Sequence, residues 1–184
     1  MIRSILLFAL MTISFSAFAQ KAHSVFVDNR ILDHFQSQVT DMQNINQDIL
    51  VLNNSDNRLE LGKLRKATEK VAERGLSLYH QMSSFLNKEY IDRLESQAYQ
   101  EGSASNALEL RNNKLRAANP QMVELMLTQD DLDVFLDNVA TIQKISDELA
   151  YSGTKKSATT ETLSSITNSA KGMRSVFFKT SATN

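Results

Sequence analysis

The chain has 184 residues, with 20 Lys and Arg against 21 Asp and Glu and a formal net charge of −1. Such a balanced charge gives no basis for attraction to nucleic acid or to an anionic membrane. The absence of Cys excludes a disulfide framework, a thiolate metal site and covalently attached haem. Five Gly, one Pro and no Trp favour a mostly helical chain with few tight turns.

The N-terminus has the features of a signal peptide. Arg3 precedes an apolar run from Ile5 to Ile13, and Ala17-Phe18-Ala19 has the small-x-small pattern of a cleavage site. The alternative is an N-terminal membrane anchor, but the run is shorter than the roughly 20 residues that span a bilayer. We therefore predict a signal peptide at residues 1–19.

Cleavage before Gln20 predicts an exported protein, periplasmic or secreted, with no membrane span after the signal is removed. The remaining residues, 20–184, are expected to form a single domain, because this length suits one core. Its end is expected to fray from about residue 181.

The first predicted helix extends from Ser24 to Leu52. Its apolar residues recur at steps of three and four, which indicates one buried face: Leu32, Phe35, Val39, Met42, Ile45, Ile49 and Leu52. The run Asn53-Asn54-Ser55-Asp56-Asn57 consists of turn formers, so the chain should reverse there.

The second predicted helix, from about Arg58 to Leu86, has the most regular pattern. Its small and apolar residues alternate steps of three and four, as in helices that pack on other helices: Leu61, Leu64, Thr68, Val71, Gly75, Leu78, Met82 and Phe85. Beside them, Lys63, Lys66, Lys70 and Arg74 form a narrow basic band. A solvated face is one interpretation of this band; a docking site for an acidic partner is the other.

The pattern shortens between residues 88 and 127, which predicts a cluster of short helices. Asn119-Pro120 has the form of a helix start, with Asn as the cap and Pro in the first turn. It precedes the compact apolar stretch from Met122 to Leu127. No alternating strand pattern of useful length is found.

Two more long helices are predicted. Thr128-Gln129-Asp130-Asp131 has the form of a capping box, and Ser152-Gly153 should end the helix that follows it. Residues 158 to 178 have many weak helix formers but keep an apolar stripe, so this helix must depend on packing. In Phe177-Phe178, one ring should be buried and Phe178 exposed, which makes Phe178 a candidate partner-binding residue.

Together these patterns predict an all-α, up-and-down bundle of three or four long helices, with the cluster of short helices (about 88–127) inserted.

No motif indicates catalysis, so we predict a non-catalytic protein with no cofactor and no metal. The three histidines, His23, His34 and His80, do not match the spacing of zinc or di-iron helix sites. Ser152-Gly153-Thr154-Lys155 matches Ser-x-x-Lys, but the companion motifs of penicillin-binding enzymes are missing.

The predicted function is that of an exported, periplasmic interaction protein: a subunit, adaptor or chaperone-like component of an envelope assembly. In layout alone, the chain resembles the minor pilus-tip subunits of type IV secretion systems, which have long helices beside a part built of short helices. Partners would be other envelope proteins, or a second copy of the chain through the heptad faces. The alternative is a helical bundle that binds haem or a small apolar ligand as a sensor or carrier.

Overall fold

The computed structural model describes residues 22–86, 112–151 and 158–178. In these ranges the elements follow in the order β1 (His23–Asp28), α1 (Asn29–Val51), α2 (Arg58–Leu86), β2 (Met122–Leu127), α3 (Gln129–Tyr151) and α4 (Thr160–Phe178). Residues 112–118 are also helical. The protein is thus mostly helical, as predicted, with a small two-stranded sheet that was not. The predicted signal peptide and residues 88–111 of the predicted short-helix cluster lie outside the described ranges.

The four long helices pack in a closed ring, in which α1 contacts α2, α2 contacts α3, α3 contacts α4, and α4 contacts α1. The direction of α4 relative to α1 follows from two contacts. Thr40 of α1 accepts a hydrogen bond from Arg174, whereas Asn46, farther along α1, donates to the carbonyl of Leu163, which comes earlier in α4. The two helices are therefore antiparallel.

The prediction that a helix begins at Ser24 is wrong. Residues 23–28 form β1, which pairs antiparallel with β2 so that Val25 faces Leu125 and Val27 faces Val123. Val25, Phe26 and Val27 are all buried, and β-branched and aromatic residues suit such a covered strand. The helix begins only after Asp28, whose carboxylate accepts a hydrogen bond from the backbone N–H of Arg30. The side-chain hydrogen bond with Arg30 lowers the pKa of Asp28.

The prediction that a helix begins at Asn119-Pro120 is also wrong. Pro120 lies in a turn, in which the backbone N–H of Met122 donates to the carbonyl of Asn119. The turn leads into β2, so the apolar stretch after it is a strand. Leu125 and Leu127 are buried and Met126 is 48% exposed, which is the alternation of a strand with one covered face.

The apolar stripes identify most of the core. In α2, Leu64, Val71, Leu78 and Met82 are fully buried, and Leu61 and Phe85 are partly buried. The stripe of α1 is buried as predicted from Leu32 to Ile49, with Ile45 only partly covered. Its last member, Leu52, was wrongly assigned to the core: it caps the end of α1 and is 64% exposed.

The start of α3 has the predicted capping box. The backbone N–H of Asp131 donates to Oγ1 of Thr128 (3.1 Å), and the N–H of Thr128 donates to Oδ2 of Asp131 (3.0 Å). Two backbone donors at the end of the helix are thereby satisfied reciprocally.

We expect Thr128→Ala to lower the free energy of unfolding by about 1 kcal/mol, because the cap is lost. Urea denaturation would measure it. Thr141→Ala is the matched control: this hydroxyl donates within its own helix, to the carbonyl of Asp137, and Ala is the better helix former. Equal losses in the two variants would show that the cap contributes nothing.

Candidate interaction surface

The four basic residues singled out in the sequence, Lys63, Lys66, Lys70 and Arg74, are all exposed on α2. They follow one another at steps of three, four and four, so they share one strip of the helix surface. At 1.5 Å per residue, the strip is about 16 Å long. We call these four residues the basic row.

Most of the basic row forms no salt bridge. Lys63 Nζ lies 2.7 Å from Glu60 Oε1, and the Lys63 side chain is still 53% exposed. Among the described residues, no salt bridge or hydrogen bond reaches the side chains of Lys66, Lys70 or Arg74. An exposed pair such as Lys63–Glu60 contributes little and breaks easily. The row therefore presents cationic groups to solvent.

Acidic residues limit the width of the row. Glu69 and Glu73 are exposed on the same helix. At about 100° per residue, they lie on the strip of helix surface next to Lys66 and Lys70. The positive surface is therefore only one helix face wide.

Three exposed apolar residues flank the turn that precedes the basic row. Leu59 lies four residues before Lys63 on the same strip of α2, and it is 69% exposed. Val51 and Leu52, at the end of α1, are 69% and 64% exposed. The turn between the helices joins these residues, with Asn53 in the left-handed conformation (φ 50°). We call Val51, Leu52 and Leu59 the end patch.

The end patch was missed in the sequence for two reasons. Leu52 continues the apolar spacing of α1, so it was assigned to the core, although the helix ends there. Leu59 does not belong to the buried stripe of α2 and was not singled out. Its spacing of four from Lys63 was the available signal.

Phe178 lies elsewhere. It is 63% exposed at the end of α4, whereas Phe177 is 4% exposed and packs against the rings of Phe35 and Phe135 at centroid distances of 6.3 and 5.5 Å. Because α4 packs mainly on α1 and α3 rather than on α2, the structure does not bring Phe178 together with the basic row. A binding role for Phe178 stays a prediction.

Within the described ranges, no group of three or more His, Asp or Glu side chains is arranged to hold a metal ion. The ring of His80 lies against Tyr79, and Nε2 of His34 is 3.1 Å from Nε2 of Gln38. None of the helices described has both the length and the apolar character needed to cross a bilayer.

Comparison with known proteins adds no relative: no family model matches the chain, and neither the curated proteins nor the solved structures include a significant match.

Proposed function

We propose that the protein is an exported, non-catalytic helical interaction protein that docks an acidic partner on the basic row. In this proposal it works in the periplasm as a subunit, adaptor or chaperone-like component of an envelope assembly, such as a type IV secretion or conjugation apparatus. The observation that carries the proposal is the basic row itself: four exposed cations on one strip of α2, three of them without a described ionic partner.

The energetics of α2 support a role in binding. Lys66 and Lys70 are spaced i, i+4, as are Lys70 and Arg74, and such like-charged pairs destabilise a helix by a few tenths of a kcal/mol each. The spacing of the cations within the row is therefore not one that stabilises the helix. These charges would become favourable when a carboxylate-bearing surface faces them, and they would also speed the encounter with that surface.

The absence of Cys makes a clean test available, since one introduced Cys is the only thiol. Ser77 is exposed and lies three residues beyond Arg74, next to the end of the row. A photo-crosslinker on Ser77→Cys should capture an acidic envelope protein in cells. The same label on Ser37→Cys, exposed on α1, should not capture that protein.

Charge reversal provides the matched comparison. The double substitution Lys66→Glu, Lys70→Glu should abolish the cross-linked product formed from the label on Ser77→Cys. The circular dichroism spectrum should stay unchanged. Lys144→Glu with Lys171→Glu changes the net charge equally on other exposed surfaces and should leave the product intact. If the product persists after reversal of Lys66 and Lys70, the basic row is only a solvated face and the proposed function is wrong.

A further inference from the structure

We infer that the end patch and the basic row form one continuous docking surface, and that its occupant is a single amphipathic helix of an acidic partner. One end of that helix carries apolar side chains, and the turns that follow carry Asp or Glu. This inference rests on the proposed function and specifies the partner's chemistry.

The spacing along α2 supports a helical occupant. Leu59, Lys63, Lys66, Lys70 and Arg74 follow steps of four, three, four and four, so one apolar residue and four cations lie along a single strip. The strip is about 22 Å long at 1.5 Å per residue. A partner helix has the same rise, so acids spaced three or four residues apart would face successive cations over about four turns.

The charges beside the row favour a helix over a membrane surface. A flat anionic bilayer would meet Glu69 and Glu73 together with the cations, since all of them are exposed. An amphipathic helix can place its carboxylates along one line opposite the cations and other side chains opposite Glu69 and Glu73, because it carries acids on one face only. Carboxylates that faced Glu69 or Glu73 would be repelled, so the partner's acids must be confined to such a line.

The end patch provides apolar surface that a partner can bury, which the charged side chains do not. Leu59 has 69% of its surface exposed, and burying apolar surface is the main favourable term in association. Exposed ion pairs add little affinity but determine which partner approaches and in which direction. The end patch would thus hold the partner, and the basic row would orient it.

The inference can be tested with a synthetic probe. The probe is a fluorescein-labelled helical peptide with Leu at two positions of its first turns, followed by Glu at successive i, i+3 and i+4 positions of the same face. Fluorescence anisotropy with the full chain should show saturable, salt-sensitive binding. A peptide of the same composition with the face scrambled should bind at least about tenfold more weakly.

Two substitutions in α2 test whether Leu59 contributes to binding more than an exposed Leu elsewhere on the same helix. Leu59→Ser should weaken binding of the probe about tenfold, because a buried Leu side chain is lost from the interface. Leu76→Ser removes another exposed Leu of α2 that lies off the strip and should leave binding unchanged. Leu59 and Leu76 are 69% and 45% exposed, so both variants should remain folded, which circular dichroism would check.

Several outcomes would overturn the inference. Equal binding of the scrambled peptide would show nonspecific attraction, and equal effects of Leu59→Ser and Leu76→Ser would show that the end patch is no anchor. Sedimentation with vesicles containing anionic phosphatidylglycerol, if lost in the Lys66→Glu, Lys70→Glu variant, would assign the surface to a membrane. These results leave the cellular cross-link from Ser77 unaffected, so failure here is distinguishable from failure of the proposed function.

Discussion

Leu78→Asp should lower the melting temperature of the protein far more than any substitution at an exposed site. Leu78 is fully buried in α2, and the substitution removes its apolar packing while placing an unpaired carboxylate in the core. We expect a loss of more than about 4 kcal/mol in the free energy of unfolding, against a total of about 5–15 kcal/mol for a typical domain. Circular dichroism during thermal unfolding would measure it.

Lys66→Ala is the control for this prediction, since Lys66 is exposed on the same helix. Its stability should remain within about 0.5 kcal/mol of the wild type. Similar melting temperatures for the two variants would mean that the buried face of α2 is assigned incorrectly.

The second large effect is expected at Gly75. A Cβ atom at this position would lie 2.7 Å from Cγ2 of Val139 and 3.3 Å from Cε2 of Phe35, so α2 approaches α3 as closely as it does only because Gly75 has no side chain. We expect Gly75→Ala to destabilise the protein by about 1–3 kcal/mol through overpacking. This loss exceeds the gain of up to about 1 kcal/mol in helix propensity.

Gly62→Ala makes the same substitution in the same helix, but it should raise the free energy of unfolding rather than lower it. No atom lies within 4 Å of a Cβ placed at Gly62, so only the propensity gain of about 0.5–1 kcal/mol remains. Urea denaturation of both variants would test the pair. Val139→Ala should cost less in the Gly75→Ala background than in the wild type, because it also removes the clash. Simple additivity of the two substitutions would contradict the proposed clash.

The sequence was most informative where the signal is long and local. The spacing of α2 persists from Leu61 to Phe85, and the structure has this helix at Arg58–Leu86, where it was expected. The capping box before α3 was predictable for the same reason, since Thr128 and Asp131 satisfy each other within one turn. Both features depend on residues that are close along the chain.

The strands could not be predicted in this way. β1 owes its conformation to its pairing with β2, which lies far along the chain, and six residues carry too short a pattern to show that pairing. Asn46 was missed for a related reason. It lies in the buried face of α1 because its amide donates to the carbonyl of Leu163 (2.9 Å) and to Oγ1 of Thr167 (3.1 Å) on α4, contacts that no local spacing reveals.

In the candidate interaction surface, the basic row could be predicted from the sequence, but the end patch beside it could not. The row depends only on helix spacing, whereas the end patch exists because α1 ends at Val51 and leaves Leu52 in the turn. The exposure of an apolar side chain at a helix end depends on where the neighbouring elements lie. The positions of those elements belong to the tertiary structure, which the spacing of residues along one helix does not show.

The pairing of β1 with β2 also has a consequence for the order in which the molecule folds. The helical hairpin of α1 and α2 closes a loop of only a few residues, whereas the sheet joins segments about 95 residues apart, for which the entropic cost of closure is greater. During synthesis from the N-terminus, the chain would therefore form the hairpin before β2 exists. Val25, Phe26 and Val27 would then have no strand to pair with. Phe26 can already pack on Phe85 of α2, but until residues 122–127 arrive the backbone edge of this segment has no strand partner. An open strand edge is the kind of surface that aggregates or recruits a chaperone.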